Sequence, residues 1–323
     1  MSPLSLHFAP TARALTRIAR HFVPASVGRA VLDRHVDEGR ALDLDRPLLP
    51  DALSRLHTLP FLTVAEHRFL GQVQGRSYAR FVALAVRFIR GKRFDLGVDH
   101  AGGGDPTGAT ARAVVEERRQ LDVLGRLEDM LDAGMPRGYR FVPNTGDVTC
   151  AVLGRSDWAV LALTVDIEHM WQANHRTGSA CATPLDPLWQ DVTRDISAAA
   201  AAHAVLDESR WRRADALLTA AERDDAITDW LDLVRAIDEI LRVQAQADTA
   251  YFLIQSKRSI AAGHQRAIAE TLLTAYRWQH IVAGLLEPRF VATLKSLVAP
   301  VQMARIEAAL APVLAAAVAR GPG

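Results

Sequence analysis

The chain has 323 residues, of which 49% are apolar and 6% aromatic, and its 38 basic residues nearly balance its 37 acidic ones. This length suits one large domain or about two smaller ones. A net charge of +1 provides no field for a polyanion, so we expect no nucleic-acid binding and no attachment to an anionic membrane. No apolar run approaches the roughly eighteen residues that a membrane span needs. The two cysteines form no CxxC pair, which favours a reduced, cytoplasmic protein.

Residues 1–60 are expected to form an N-terminal helical extension. Two short helical patterns, residues 11–22 and 26–35, are separated by Pro24. The first thirty residues contain several arginines and no acidic residue, a composition also found in mitochondrial transit peptides. We favour an ordinary amphipathic helix, because neither a secretory-type apolar core nor a small-residue cleavage site is present.

Helical periodicity dominates residues 61–323, the expected bundle domain. Alanine is frequent and only 20 glycines are present, which favours helices because alanine has the highest helix propensity. The predicted helices span, in chain order, residues 63–89, 109–133, 157–175, 187–220, 223–260, 262–286 and 302–319. Short extended pieces are predicted at residues 139–142 and 147–152. The fold class is therefore predicted to be all-α, a four-helix bundle with the later helices packed on its outside.

The glycine-rich stretch 101–108 raises the question of phosphate binding. It lacks the Gly-Lys-Ser/Thr ending of a P-loop and follows a helix rather than a strand, so the backbone cradle and the lysine of that chemistry are missing. A flexible connection between two helices is the better interpretation.

Polar residues fall on single faces of two predicted bundle helices. Glu168, Gln172 and His175 are spaced i, i+4 and i+7 within an otherwise apolar helix. On the next helix His203 and Asp207 are spaced i and i+4, after a run of alanines. A carboxylate-bridged metal site inside a bundle uses inward-pointing carboxylates and imidazoles from its helices, so these residues are candidate ligands.

Several short motifs of the chain occur together in one group of helical proteins. Across residues 60–315 the chain resembles a bacterial family of ferritin-like helical proteins related to the di-iron carboxylate oxygenases. The resemblance implies a ferritin-like four-helix bundle built around a metal centre. The motifs that carry it are Gln74–Tyr78 (QGRSY), Ile167–Gln172 (IEHMWQ), Leu185–Trp189 (LDPLW), His203–Asp207 (HAVLD), Ala275–Trp278 (AYRW) and Pro288–Phe290 (PRF).

The chain departs from the ligand pattern that this resemblance implies. Where the fourth helix would offer Glu-x-x-His, the chain has Ala200 and His203, so only the imidazole remains. On the second helix Glu116 is followed three residues later by Arg119, a permanent cation that would repel a metal rather than bind it.

On the first helix, the position of the expected glutamate falls near Val86 or Arg87. The resemblance therefore implies that three ligands remain, Glu116, Glu168 and His203.

Two functions follow from this incomplete ligand set. In the first, no cofactor is bound and the bundle has a non-catalytic binding, assembly or regulatory role. Arg87 and Arg119 would then pair with Glu116 or Glu168, because buried carboxylates need such partners.

In the alternative, a reduced site holds iron, and the protein is a metal-dependent oxidoreductase acting on a small organic substrate. The candidate ligands are Glu168, His203 and Asp207 together with His175, and Tyr78 or Gln172 would hydrogen-bond to them.

Several residues also have ordinary structural explanations. Asp207 suits an ion pair with Arg210 or Arg212 at least as well as a metal. The six tryptophans most often indicate packing, although they also suit a pocket for a small organic ligand in the bundle centre. The apolar face of residues 303–318 suits either the core or the interface of a homodimer.

Overall fold

The computed structural model describes residues 39–99, 107–181 and 183–318. The helices expected at residues 11–22 and 26–35 and most of the glycine-rich stretch lie outside these ranges. The described part of the chain is helical and contains no β-strand. Its helices are α1 (Asp51–Ser54), α2 (Val64–Asp99), α3 (Thr107–Gly134), α4 (Thr145–Leu153), α5 (Asp157–Ser179), α6 (Pro187–Ala216), α7 (Ala220–Gln255), α8 (Ala262–Arg277), α9 (Ala283–Leu285), α10 (Pro288–Leu297) and α11 (Pro300–Val318). A 3₁₀ turn spans Leu56–Thr58, and a π-helical turn spans Trp278–Val282.

The all-α prediction is confirmed, but the extended piece predicted at residues 147–152 was wrong. This stretch is part of helix α4, and the Asn144 side chain caps the helix by accepting hydrogen bonds from the backbone N–H groups of Gly146 and Asp147. Helix α10, which we had not predicted, begins with Pro288 at its first position, where a missing N–H costs nothing.

Residues 139–142 are not part of a helix or a strand. The Gln244 side chain of α7 supplies the hydrogen bonds that a partner strand would have given. It accepts from the Val142 N–H over 2.8 Å and donates to the Arg140 carbonyl over 3.1 Å. One amide side chain therefore satisfies two backbone groups of this connection.

The helices are arranged as two closely packed pairs with further helices around them. Helix α2 packs along α3 and helix α5 along α6, while α7 and the short helix α9 cover the remaining sides of α5. Every residue from Trp158 to Trp171 is consequently buried. A helix that is apolar on all sides, as most of this stretch is, is stable only when it is surrounded by other helices.

An aromatic cluster fills the space between α5, α6, α7 and α10. Trp158 and Trp211 pack edge to face with ring centroids 5.2 Å apart, and Trp230 and Phe290 complete the cluster. The Trp158 indole N–H donates to Asp215 over 2.9 Å, so its polar atom is satisfied inside the core. These tryptophans serve packing.

Both ends of the described chain pack against this core. Leu48, Leu53 and Leu59, from the expected N-terminal extension, are buried. Ile306 and Leu310 bury the apolar face of α11 against α7 and α8. Within the described ranges, no helix is both long enough and apolar enough to cross a bilayer.

Helix α9 approaches α5 closely at Gly284. A Cβ atom on Gly284 would lie 2.3 Å from the backbone oxygen of Asp166 in α5, and a backbone atom cannot move aside locally. We expect Gly284→Ala to lower the free energy of unfolding by about 3 kcal/mol, the upper end of typical overpacking costs. Urea denaturation of the purified protein measures the change.

Gly125→Ala is the matched control, because a Cβ atom on this helical glycine would meet nothing within 4 Å. It should raise the stability by roughly 0.5–1 kcal/mol. Equal effects of the two substitutions would contradict the close contact between α5 and α9.

Candidate functional site

Four helices contribute to one small cavity in the middle of the molecule. Each of α2, α3, α5 and α6 supplies two residues spaced i and i+3, which places both on one helix face. The cavity measures about 10 Å³, room for roughly one water molecule. Its lining consists of Val86 and Ile89, Glu117 and Gln120, Glu168 and Trp171, and Ala200 and His203. We call it the central cavity.

The central cavity combines apolar walls with buried polar groups. The side chains of Glu117 and Glu168 are 2% and 1% exposed, and Gln120 is also buried, whereas His203 is partly buried. Residues with two carboxyl groups, an amide and an imidazole therefore line the same cavity from three helices, and α2 adds only Val86 and Ile89. Burying carboxyl groups inside a bundle is costly unless they are neutralised or partnered.

The structure places Glu117, rather than the expected Glu116, at this cavity. Glu116 is partly exposed and forms an ion pair with Arg119 over 3.0 Å on the outer side of α3. Adjacent residues on a helix point about 100° apart, so the helix phase alone decides between them. Arg87 is exposed, and its neighbour Val86 faces the cavity. Neither arginine is part of the cavity lining. Of the expected pairings, the one between Arg119 and Glu116 is present, although Glu116 lies outside the central cavity.

The other candidate ligands are separated from one another. Asp207 is 1% exposed and forms an ion pair with Arg210 over 2.7 Å, as the sequence had suggested. His175 lies near the end of α5, in a different cavity from Glu168. Among the side chains that the structure describes, no three from His, Cys, Asp or Glu are arranged to hold a metal ion.

Gln172 lies beside the central cavity rather than in it. Its side-chain amide donates to the backbone carbonyl of Glu168 over 3.0 Å. The bond is therefore to the helix backbone and not to the carboxyl group, and it fixes the Gln172 side chain along α5.

A second and larger cavity, which we call the aromatic cleft, lies along the same helices. It has a volume of about 210 Å³ and is enclosed by α2, α5, α6 and the segment containing Leu48–Leu53. The rings of Tyr78, Trp171 and Trp189 line it, and Trp171 also lines the central cavity. One indole ring therefore stands between the two cavities.

The polar groups of the aromatic cleft are mostly neutral. Burial raises the pKa of Tyr78 to about 12, so its hydroxyl group keeps its proton at neutral pH. Burial, together with the nearby charge of Arg194, lowers the pKa of His175, so its imidazole is uncharged at neutral pH. Arg194 then carries the one formal charge among the described residues of the lining.

A buried hydrogen-bond network that periodicity did not indicate lies beside these cavities. Asp248 in α7 accepts from the Ser77 hydroxyl over 2.6 Å, from Tyr276 and from Gln244, and the Tyr139 hydroxyl lies 2.9 Å from the Ser77 hydroxyl. Burial raises the pKa of Asp248 to about 7 despite these hydrogen bonds. Its members come from four parts of the chain, so their sequence positions alone gave no signal that they would meet.

The π-helical turn places His280 beside the same network. Its ring centroid lies 4.8 Å from that of Phe81 and 5.3 Å from that of Tyr78. Burial lowers the pKa of His280 to about 3, so the ring stays neutral in the folded protein. A π-helical turn inserts an extra residue into a helix and often occurs at functional sites.

Comparisons with known protein families, with curated proteins and with solved structures give no significant match to this chain.

The buried His280 gives the folded protein a defined pH dependence. Its pKa of about 3 in the folded state lies below the ordinary 6.5, so the unfolded state takes up the proton first as pH falls. The contribution of neutral His280 to the free energy of unfolding is therefore fully present above pH 6.5. It is lost at about 1.4 kcal/mol per pH unit as the pH falls towards 3. We expect the stability of the wild type relative to His280→Phe to fall at this rate between pH 6.5 and pH 5.

Urea denaturation of both proteins at several pH values measures this difference. Leu272→Val, a substitution of a buried apolar residue of the preceding helix α8, is the control and should shift stability equally at every pH. A constant difference between the wild type and His280→Phe would contradict the burial of a neutral imidazole.

Proposed function

We propose that this protein is a ferritin-like four-helix bundle whose two-metal centre has been replaced, and that it is a non-catalytic binding protein. The observation that carries the proposal is the lining of the central cavity. Four helices meet there through residues spaced i and i+3. In the di-iron carboxylate proteins, two helices each give one glutamate and the other two each give a Glu-x-x-His pair.

The central cavity matches this pattern position by position, with three positions changed. Glu168 on α5 corresponds to a single glutamate, and Val86 on α2 replaces the other. On α3, Glu117 keeps the carboxylate of a Glu-x-x-His pair, while Gln120 replaces its histidine. The second pair, on α6, is altered in the opposite way.

On α6 the histidine is kept as His203, and Ala200 replaces the glutamate that would bridge two metals. Valine and alanine offer no donor atom, and the amide of Gln120 is neutral. The residues present therefore do not fit a di-iron centre, because two divalent ions need more anionic oxygen ligands than Glu117 and Glu168 provide.

The single-metal alternative has less support. Asp207 is already paired with Arg210, and His175 lies in the aromatic cleft. Only Glu117, Glu168 and His203 would remain for one ion, and their arrangement does not bring three ligands to a common point. A bundle that has lost its metal centre explains more of the residues that line the central cavity than a single-metal site does.

The proposal is tested by restoring the missing ligands. The triple variant Val86→Glu, Gln120→His and Ala200→Glu rebuilds the full pattern on the existing helices. We expect it to bind about two irons per chain after anaerobic addition of ferrous iron, whereas the wild type purified without chelators should carry less than about a tenth of that. Inductively coupled plasma mass spectrometry after desalting measures the metal content.

The matched control places the same three side chains one position further along each helix, as Arg87→Glu, Leu121→His and Ala201→Glu. These positions lie outside the central cavity, so this variant should bind no more iron than the wild type. Two irons in the wild type would overturn the loss of the metal centre. Equal iron in a folded triple variant and its control would overturn the ferritin-like assignment.

If the triple variant fails to fold, the single variant Gln120→His tests the proposal instead. It restores one Glu-x-x-His pair without adding a buried carboxylate. Its ferrous affinity should exceed that of the wild type by at least about tenfold if the cavity derives from a metal centre, and an unchanged affinity would contradict the proposal.

A further inference from the structure

The aromatic cleft, at about 210 Å³, is much larger than the central cavity at about 10 Å³. We propose that the cleft binds a small aromatic carboxylate, with the ring among Tyr78, Trp171 and Trp189 and the carboxylate at Arg194. This inference rests on the proposed binding function and names the site and the ligand class for it.

The size of the cleft limits the ligand to one or two fused rings. Its volume of about 210 Å³ lies below the roughly 300–1,000 Å³ of sites for drug-sized molecules. It exceeds the roughly 150 Å³ of an engineered apolar cavity that binds benzene.

The walls of the cleft favour a flat aromatic ring. The rings of Tyr78 and Trp189 are tilted, with centroids 6.1 Å apart, and Trp171 closes the inner end towards the central cavity. Leu48, Leu53 and other apolar residues complete the lining. Displacing water from this apolar surface is favourable and would stabilise a bound ring.

Two residues of this wall each carry a polar atom that is buried without a hydrogen-bond partner in the described part of the chain. The Trp171 indole N–H and the Asn174 side-chain oxygen form no hydrogen bond with the described residues. A buried polar atom left in this state costs about 1–3 kcal/mol.

The charge of the cleft selects an anion. Arg194 is the one charged residue among the described residues of the lining, which includes no Asp or Glu. Its guanidinium group donates to Asp191 over 2.6 Å and lies 3.9 Å from Asp195, and Asp191 also accepts from Arg40. Since an arginine has five N–H donors, Arg194 keeps donors for a carboxylate at the mouth of the cleft. His175 is neutral and adds no competing charge.

Three probes share an indole ring and differ in charge: indole-3-acetate, its neutral amide indole-3-acetamide, and the cation tryptamine. Comparing their affinities distinguishes the contribution of the ring to binding from that of the charge. Isothermal titration calorimetry with the full chain should show indole-3-acetate binding at least about tenfold more tightly than either of the others, a difference typical of one charge-assisted contact. Equal affinities for all three probes would overturn the role of Arg194.

Arg194→Gln should reduce the affinity for indole-3-acetate to that for the amide. Arg235→Gln is the matched control, because Arg235 forms the same kind of i, i+3 ion pair with Asp232 on α7. A loss of affinity in both variants, or in neither, would contradict the proposed contact.

Gly178→Leu tests the location of the site without disturbing the fold. Gly178 lines the cleft, and a Cβ atom there would meet only the Leu185 side chain at 3.9 Å. Replacing a helical glycine also raises helix propensity, so the melting temperature should stay the same or rise while binding of all three probes is lost. Gly125→Leu on α3 is the control and should bind as the wild type does.

Binding that survives in Gly178→Leu would place the ligand elsewhere, and no binding of any probe at about 1 mM by the folded wild type would overturn the inference. These outcomes are independent of iron content. A chain that binds indole-3-acetate but also carries two irons would overturn the proposed function alone, and a metal-free chain that binds no probe would overturn the cleft alone.

Discussion

The complete burial of the middle of α5 is the constraint on which the rest of the structure depends. A helix surrounded on all sides has no water for its polar side chains, so each of them needs a partner from another helix. Trp158 donates to Asp215, His169 bonds with Glu208 over 3.1 Å, and Asn174 donates to the backbone carbonyl of Gln279. These contacts position α6 and the π-helical turn around α5.

Asp166 shows how costly this burial becomes where no partner is at hand. One of its carboxyl oxygens forms no hydrogen bond with the described residues, and burial raises its pKa well above the ordinary value. A protonated carboxyl group is the favourable state here, because an isolated charge in the core would cost far more. Gly284 leaves the space in which this neutral group packs.

In the function proposed above, the same cost accounts for the composition of the central cavity. A metal centre compensates buried carboxylates with the charge of its ions, so a bundle that gives up the ions must also give up carboxylates. In our proposal Val86 and Ala200 remove two of them and Gln120 keeps a neutral polar group, and the arginines stay outside. Elsewhere a buried arginine is fully engaged: Arg76 pairs with Glu128 over 2.6 Å and stacks on the ring of Tyr139.

The cavities, the network and the π-helical turn form one region. Trp171 joins the central cavity to the aromatic cleft, and Tyr78 joins the cleft to His280. Ser77, next to Tyr78 on α2, connects the region to Asp248. A ligand in the cleft would therefore contact residues that also set the packing of α2, α5 and α8.

Local pattern in the sequence determined the helices and part of the site. The apolar periodicity and the proline and glycine breaks placed most ends of the long helices within about five residues, because both signals act over one or two turns. Helix α2, however, continues ten residues beyond its predicted end at residue 89. They also brought out Glu168 and His203, whose spacing within α5 and α6 was readable. The short helix α4 escaped because its start depends on one capping side chain, Asn144.

Only the tertiary structure decided which side of each helix meets its neighbours. Glu116 and Glu117 are equivalent in the local pattern, and the packing of α3 against its partners selects Glu117. The aromatic cleft brings Leu48, Tyr78 and Trp189 together across more than a hundred residues of chain, and the Asp248 network joins four segments in the same way. Contacts of this kind arise from lateral helix packing, for which the sequence carries no local signal.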